Sequence, residues 1–442
     1  METMTQLGDA PTVAADHGGT TMPHPYDPFR PEFRRDLYAW YRQLREQAPV
    51  HYAAEANVWC VSRYDDVQAV LRRDEVFSSR AMFMMLMNNG RDGVAPLTWP
   101  ALRFVGLLVL RTWINPFTFA TARNLIAEDG ERHTGLRNIV NRGFTPRQIA
   151  GWEKRAREIV AECLATFRRR ERFDLVEDLA IPLPVTIIAE MLGVEPERRA
   201  DFKRWSDAIV YNATGPGRQT PFSPEFGRAI AGMIAYVKRV AHERRRAPAE
   251  DLISQIVAEQ EGAAGLSDRE VVQFVTLLLV AGNETTTNLI GNTVKALLRH
   301  PEQLARAVAD PALVPNLIEE VLRWDAPIQL VFRITTEEVE LAGSRIPKGA
   351  IVAPLLGSAN RDERRFPDAD RFDIARDAQG HIGFGFGKHF CLGAALARLE
   401  ARVALEELLP HLPRLRLETE PELVDSFLVR GPRHLELRTA AS

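Results

Sequence analysis

The 32 residues between Ser267 and His300 constrain the fold more than any other part of this 442-residue chain. Ser267 and Glu270 form a capping-box pattern at the start of the segment, and His300-Pro301 marks its end. A helix of this length spans about 48 Å, which is enough to cross a whole domain. Because the run VVQFVTLLLVAG is apolar nearly all round, we predict that this helix passes through the core.

The rest of the chain predicts mostly helix with small β-sheets, an α+β fold. Periodicity and turn residues indicate helices at 33–48, 65–73, 133–144, 147–168, 184–212 and 225–246, and strand-like pieces at 58–64 and 339–355. Since no linker interrupts the sequence after residue 25, we predict one large domain over residues 25–442. The polar, Gly/Thr-rich residues 1–24 are predicted to form a flexible N-terminal arm.

Composition narrows the class of protein. With 45% hydrophobic and 26% charged residues the chain resembles an ordinary globular protein, and a net charge of −3 gives no field that would attract nucleic acid. Cys60, Cys163 and Cys391 form neither a disulfide framework nor a paired metal motif, which favours a reducing, cytoplasmic setting. The N-terminus lacks the apolar core of a secretory signal. The apolar stretch 97–120 contains two arginines and two prolines, so no transmembrane anchor is expected.

Cys391 lies in the run FGFGKHFCLG, between a glycine-rich loop and an apolar-periodic helix. One interpretation of a lone cysteine is a small core residue. The other follows from its position, where amide N–H groups and the positive end of a helix favour thiolate over thiol. Such a sulfur is an electron-rich axial ligand for a haem iron. Gly385 and Gly387 lack the Cβ atoms that would keep the backbone away from a flat macrocycle.

Six positions of this run match the string F-G-x-G-x-H-x-C-x-G, namely Phe384, Gly385, Gly387, His389, Cys391 and Gly393. Together with AGNETT, EVLR and other motifs in family order, they make residues 25–440 resemble the cytochrome P450 family of haem-thiolate monooxygenases. The resemblance implies one triangular-prism fold with a long central helix over the haem. It also implies haem b with Cys391 as its thiolate ligand, and cofactor contacts by Phe384, Gly385 and Gly393.

AGNETT, residues 281–286, lies in the middle of the long helix. Polar residues at this depth are costly, and one interpretation is a group of threonines that hydrogen-bond back to the helix. The other is a local distortion at Gly282 that opens an oxygen pocket. The string resembles the family's acid–alcohol motif, which implies that Thr285 hydrogen-bonds dioxygen and that Glu284 helps to relay protons to it.

The tetrapeptide Glu320-Val321-Leu322-Arg323 resembles the family's E-x-x-R motif. On spacing alone, a Glu/Arg pair three residues apart is usually a solvated salt bridge. The resemblance implies instead a buried structural network with a later arginine. Arg371 is the predicted third member, and Arg376 is the second choice.

Four basic residues are candidates to bind the two haem propionates. His133 and Arg137 are four residues apart on a predicted helix and share a face, although a surface pair would show the same spacing. The resemblance adds Arg333 and His389. One departure precedes His133: Asp129-Gly130-Glu131-Arg132 stands where the family usually has Asp-Pro-Pro.

The sequence predicts an apolar substrate pocket. By the resemblance, its lining comes from the residues after the second helix, the long helix, residues 328–332 and the C-terminal hairpin. These segments supply Met82, Phe83, Met85, Ala281, Ile328, Val331, Phe427 and Leu428. Since such a lining favours apolar ligands, we expect a terpenoid, steroid or fatty-acid-like substrate. The unusually long stretch 80–128 is predicted to form a lid with an entry function; core packing of its methionines and a surface patch are the alternatives.

The resemblance predicts an oxidoreductase that hydroxylates or epoxidises its substrate with one oxygen atom of O2. No flavin or iron–sulfur domain follows in the sequence, so electrons are expected from a separate ferredoxin or flavodoxin with its reductase. Basic residues on the thiolate side, Arg142, Arg147, Lys388 and Arg398, are candidates to receive it. The alternatives are a peroxide-driven peroxygenase and a haem-binding sensor or carrier without turnover.

Overall fold

The computed structural model describes residues 26–87, 106, 125–167, 171–214, 223–260 and 266–439. The arm predicted over residues 1–24 lies outside them, as does the apolar stretch 97–120 apart from Gly106. The proposed lid is therefore neither supported nor contradicted. Within the described residues, no helix is long and apolar enough to cross a membrane.

Helices make up most of the described structure, as the sequence predicts. The first eight are Glu32–Arg35 (α1), Leu37–Gln47 (α2), Tyr64–Arg72 (α3), Arg80–Met87 (α4), Gly130–Asn141 (α5), Pro146–Gly151 (α6), Glu153–Phe167 (α7) and Pro182–Met191 (α8). The next eight are Arg199–Thr214 (α9), Pro224–Arg246 (α10), Leu252–Ala258 (α11), Asp268–Arg299 (α12), Pro301–Ala309 (α13), Val314–Trp324 (α14), Leu356–Ala359 (α15) and Ala394–Leu408 (α16). Five 3-10 turns and one π-helical turn connect them in this part of the chain.

Ten short strands form three small sheets among these residues. The strands are Val50–Ala53 (β1), Val58–Val61 (β2), Phe77–Ser78 (β3), Arg172–Asp174 (β4), Arg333–Thr335 (β5), Val339–Leu341 (β6), Ser344–Ile346 (β7), Ile351–Pro354 (β8), Leu415–Leu417 (β9) and Glu436–Thr439 (β10). Their sheet orders are β1-β2-β8-β5-β3, β4-β10-β9 and β6-β7. The β2–β8 pair is parallel, with Val58 opposite Ile351. The first sheet therefore joins the N-terminal part of the chain to the segment that follows α14.

The long helix α12 begins and ends where the sequence predicts. The Ser267 side chain accepts from the Glu270 amide, and the Glu270 carboxylate accepts from the Ser267 amide at 2.7 Å, which completes the capping box. The helix packs within the main hydrophobic core beside α8, α14 and α16. Its contact with α16 brings Thr286, in the middle of α12, to Glu400 on the helix that follows the Cys391 loop.

Three predicted helices are each divided in two. The helices predicted at 33–48 and 147–168 are interrupted at one residue each, Asp36 and Trp152. The largest error is at 184–212. Residues 184–212 form two helices, because Gly193 adopts φ +73° at the end of α8 and the chain turns there. A Cβ atom on Gly193 would overlap the side chain of Asp251. That contact comes from a distant part of the sequence, so local periodicity did not reveal the break.

Candidate active site

Cys391 lies at the end of a tight loop, three residues before helix α16. Its amide donates to the Phe384 carbonyl at 2.9 Å, which closes the loop across the two glycines. Gly385 and Gly387 have φ of +75° and +73°, a region that disfavours other residues. The backbone conformation of the turn is therefore sufficient reason for glycine at both positions. At Gly387 a Cβ atom would also lie 2.9 Å from a carbonyl oxygen of α3.

Burial raises the pKa of the Cys391 thiol. The Gly393 amide, Arg137 and Arg398 act in the opposite direction without outweighing it. Without a bound metal, the loop therefore favours the thiol, contrary to the sequence-based expectation. A coordinating metal ion deprotonates a thiol outright, so this does not weigh against a ligand role.

The four candidate propionate residues lie together beside this loop. The imidazole rings of His133 and His389 have centroids 4.1 Å apart, and the Arg137 guanidinium donates to the Lys388 carbonyl at 3.1 Å. Arg333 is buried, and burial lowers its pKa to about 10. Burial also lowers the pKa of His133 to about 4, with neighbouring positive charge from His389 and Arg137 adding to the effect. Such an accumulation of buried basic groups calls for anionic partners.

Asp129 is one of two carboxylates, with Asp74, that face this basic group. Its oxygens accept from the Ser79 amide and lie 3.4 Å from Nε2 of His389. Burial opposes ionisation, but the bonds from His389 and the two serines lower the pKa of Asp129 to about 2. The following residue, Gly130, has φ +62°, which the proline usual at this position in the family could not adopt. The departure in sequence therefore corresponds to a different start of α5, and the His133/Arg137 pair is unaffected.

Glu284 and Thr285 lie on one turn of α12 that is less buried than the turns that follow it. Ala281 is exposed although most of α12 is buried, and Thr285 donates to the Ala281 carbonyl at 2.9 Å. Burial and the nearby Asp207 raise the pKa of Glu284, while Asn288 and Lys203 act against the rise. The predicted distortion at Gly282 is not seen, because the helix continues through it without a break. The turn thus presents a hydroxyl and a carboxyl group that holds its proton more tightly than usual.

The Glu320/Arg323 pair is fully buried, with both side chains 0% exposed. Arg323 donates to the two Glu320 oxygens at 2.7 and 2.8 Å in a bidentate arrangement. The third side chain is Arg376, whose Nε lies 3.3 Å from Glu320, so the prediction of Arg371 is wrong. The Arg371 side chain is 64% exposed and nearest to Asp373, and only its carbonyl oxygen joins the network by accepting from Arg323.

Six of the predicted pocket residues belong to one hydrophobic cluster. Met82, Met85, Phe427 and Leu428 are buried in it, and Ile328 and Val331 pack against it. Ala281 lies outside this cluster, and the side chain of Phe83 is not among the described ones. A cleft of about 720 Å³ elsewhere, lined by Gln68 and Phe386, adjoins the outer side of the Cys391 loop and shares no residue with the cluster.

Comparison with known proteins identifies the family. The cytochrome P450 family model matches residues 110–311 and 305–436. The chain belongs to the cytochrome P450 family. It is 38% identical to the erythromycin C-12 hydroxylase of Saccharopolyspora erythraea, over 92% of this chain and 95% of that one. The enzyme is therefore a cytochrome P450 monooxygenase, and the α+β fold class is confirmed.

Solved structures of other P450 proteins share this fold. CYP109Q5 from Chondromyces apiculatus is 41% identical with a TM-score of 0.80, covering 95% of this chain and 99% of that one. CYP109E1 from Bacillus megaterium, solved in complex with testosterone, is 35% identical with a TM-score of 0.79, covering 93% of this P450 and all of that chain.

Proteins of this family hold a haem through a cysteine thiolate, and the residues of this P450 fit that group. Nε2 of His389 is buried and has only a long contact, of 3.4 Å, to the Asp129 carboxylate in the described structure. The Arg333 guanidinium donates to the adjacent Phe332 carbonyl at 2.8 Å, which leaves most of its hydrogen-bonding capacity for another acceptor. These basic groups, next to the Cys391 loop, fit the two carboxylates of a haem.

Two functional features were missed from the sequence. Glu400 is a buried acid on α16 that hydrogen-bonds Thr286, next to the acid–alcohol pair. Asn288, Asn292 and Lys295 form a buried polar stripe on α12. In both cases the sequence could have indicated the feature, because a polar residue stands on an otherwise apolar helix face.

Proposed function

We propose that this P450 inserts one oxygen atom of O2 into a hydrophobic small molecule, by hydroxylation or epoxidation. The observation that carries the proposal is the turn of the core helix on which Thr285 and Glu284 lie half-buried beside the exposed Ala281. Oxygen activation consumes protons, and these two groups can hold and pass them. A peroxide-driven enzyme would have no need of this pair.

Each remaining site residue has a role in holding the cofactor. Cys391 would supply the thiolate ligand of haem b, and His133, Arg137, Arg333 and His389 would bind its propionates. Bound there, the haem supplies an iron that activates dioxygen. Phe384, Gly385 and Gly393 shape the loop beside it. The Glu320–Arg323–Arg376 network fixes the segment that leads to this loop.

The ligand and its residue can be tested with one spectrum. The reduced, CO-bound protein is expected to show the long-wavelength Soret band of thiolate-ligated haem, and Cys391→Ser is expected to lose it. Cys163→Ser is a matched control, because Cys163 is half-buried on α7 and away from the site. A thiolate-type band that persists in Cys391→Ser would contradict the assignment.

A steroid, terpenoid or fatty-acid-like substrate is supported by the apolar cluster of Met82, Met85, Phe427 and Leu428. Testosterone, which a solved relative binds, is a suitable first probe. Titrations that follow the Soret band are expected to show shifts with such apolar compounds. The substrate class is refuted if only polar or charged aromatic compounds cause a shift.

We further propose that a separate ferredoxin or flavodoxin, with its reductase, delivers electrons in the cytoplasm. The outer side of the Cys391 loop supports this, because Phe390 is 40% exposed there and the exposed Lys388 adjoins it. Arg142 and Arg147 are also exposed. Three of these four basic side chains pair with acids of this chain: Lys388 with Asp74, Arg142 with Glu259 and Arg398 with Glu319. Turnover with a ferredoxin system is expected, and turnover with peroxide alone would favour the peroxygenase alternative.

A further inference from the structure

The second half of the core helix α12 carries a polar stripe that oxygen chemistry does not require. Asn288, Asn292 and Lys295 recur at spacings of four and three residues and therefore share one helix face. All three are buried, with exposures of 1%, 0% and 3%. Since buried polar groups are costly unless bonded, their partners should indicate what they do.

Asn292 and Lys295 bind two chain segments that are far apart in sequence. Asn292 donates from Nδ2 to the carbonyls of Asp325, at 2.9 Å, and Arg430, at 3.0 Å. Lys295 donates from Nζ to the Asp325 carboxylate at 2.9 Å and to Oδ1 of Asn292 at 3.0 Å. Two side chains of the helix thus bind both the end of α14 and the C-terminal hairpin, which comprises residues 423–432.

The Asp325 carboxylate extends this junction. Its second oxygen accepts from the Tyr38 hydroxyl at 2.8 Å and from Nε of Arg430 at 3.0 Å. Although burial opposes ionisation, Lys295 and Arg430 hold the pKa of Asp325 far below its usual range. One carboxylate therefore connects α2, α12 and the C-terminal hairpin by charge-assisted bonds.

The two segments held at this junction are those that carry predicted substrate contacts. Arg430 donates from its amide to the Pro327 carbonyl at 2.7 Å, and the Gln329 amide donates to Leu428 at 2.9 Å. Ile328 and Val429 form an antiparallel bridge between them. Ile328 and Leu428, both in the predicted pocket, thus lie within three residues of an anchored position.

Close packing confirms that the hairpin is pressed against the stripe. A Cβ atom on Gly431 would overlap the Asn288 carboxamide, and one on Gly291 would lie 2.7 Å from Pro432. Asn288 in turn donates to the Glu284 carbonyl at 2.7 Å. The stripe therefore runs from the acid–alcohol turn to the junction at Lys295.

We propose that Asn292, Lys295 and Asp325 are positioning residues for substrate selection, which set the location of the 327–332 and 427–430 segments over the haem. Their hydrogen bonds go to other groups of the protein, so their effect on a substrate would be indirect. This inference rests on the proposed function, because it assumes that the two segments line the substrate pocket.

The test compares a large and a small iron ligand in the Lys295→Met holoenzyme. Imidazole binds the iron without reaching far from it, whereas 4-phenylimidazole extends toward the pocket lining. Dissociation constants of both are measured from the Soret shift, and hydrogen exchange is measured over residues 420–434. The expected result is a change of roughly 2- to 30-fold in the ratio of the two constants, with faster exchange at 426–430.

Arg244→Met is the matched control. Arg244 pairs at 2.6 Å with Asp251, a buried carboxylate like Asp325, and its other partner is the Gly193 carbonyl. This pair joins α10 to the residue that caps the start of α11, away from both pocket segments. The control should leave the ligand ratio and the exchange of residues 426–430 unchanged, even if it lowers the melting temperature as much as Lys295→Met does.

A ligand ratio within twofold of the wild-type value overturns the proposal, and so does an equal change in Arg244→Met. If Lys295→Met does not fold, the same measurements are made on Tyr38→Phe and judged by the same criteria. This variant removes one hydrogen bond to Asp325 and keeps the charges of Asp325, Lys295 and Arg430. A wild-type protein without a thiolate-type CO band refutes the proposed function. In that case the exchange comparison alone decides whether the stripe anchors the hairpin.

Discussion

Glu400 makes the stability of this P450 dependent on pH in a direction opposite to that of most carboxylates. The side chain is 2% exposed on α16, and burial raises its pKa from 4.5 to about 8, while a hydrogen bond from Thr286 offsets only part of the rise. In the fold the group is therefore protonated up to about pH 8, whereas in the unfolded chain it ionises near pH 4.5. The unfolded state releases a proton between these values, so stability falls as the pH rises from 4.5 to 8.

The size of the effect follows from the pKa difference. Each unit corresponds to about 1.4 kcal/mol, so ionisation of the unfolded chain lowers stability by roughly 3.5 kcal/mol between pH 5 and pH 8. Glu400→Gln keeps the volume and a hydrogen-bonding group but removes the titration. For a chain of this length, the variant should gain about 4 °C in melting temperature relative to the wild type over that pH interval.

The assay is thermal unfolding of both proteins, followed at 222 nm from pH 5 to pH 8. Other titrating groups affect both proteins equally and cancel in the difference between them. Glu436→Gln, an exposed position on β10, is the control and should show a constant difference from the wild type. The reasoning is refuted if the difference between Glu400→Gln and the wild type is the same at pH 5 and pH 8.

Three further predictions test the site. Arg376→Ala should lower the free energy of unfolding by roughly 2 kcal/mol, because it removes one of the two arginines that bond the buried Glu320 carboxylate and leaves Arg323 alone to balance its charge. Arg371→Ala should change it by less than about 0.5 kcal/mol; urea unfolding distinguishes the two variants, and the reverse order would restore Arg371 as the third member. Thr285→Val should release more hydrogen peroxide per NAD(P)H consumed with substrate bound, and unchanged coupling would contradict a proton-delivery role. Gly387→Ala should cost about 1–2 kcal/mol, seen as earlier loss of the Soret band on heating, because its φ of +73° suits glycine; heat resistance equal to the wild type would show that the loop relaxes at no cost.

Features that depend on local sequence were predicted well. The bounds of α12 follow from a capping box and a proline, and both signals act within one helical turn. The clustering of His133 with Arg137 follows from helical spacing, but their approach to His389 rests on the family resemblance. Most of the predictions about the site therefore came from the order of the family motifs along the chain.

Features that depend on distant contacts were not predictable in this way. Arg371 and Arg376 lie five residues apart in an irregular segment, where no periodicity indicates which side chain turns inward toward Glu320. The pKa of Cys391 depends on how deeply the folded chain buries the sulfur, and the sequence shows only the helix end next to it. The role of the polar stripe on α12 is visible only in the folded chain, where residues 325 and 430 contact it.

The order of strands in the first sheet has a consequence for synthesis on the ribosome. The hairpin of β1 and β2 is made early, but its parallel partner β8 begins at Ile351, roughly 290 residues later. At about 5–20 residues per second, the edge of β2 stays unpaired for roughly 15 to 60 s. An open edge of this kind can pair with other chains, so expression at lower temperature or with a chaperone that covers nascent strands should raise the yield of folded enzyme.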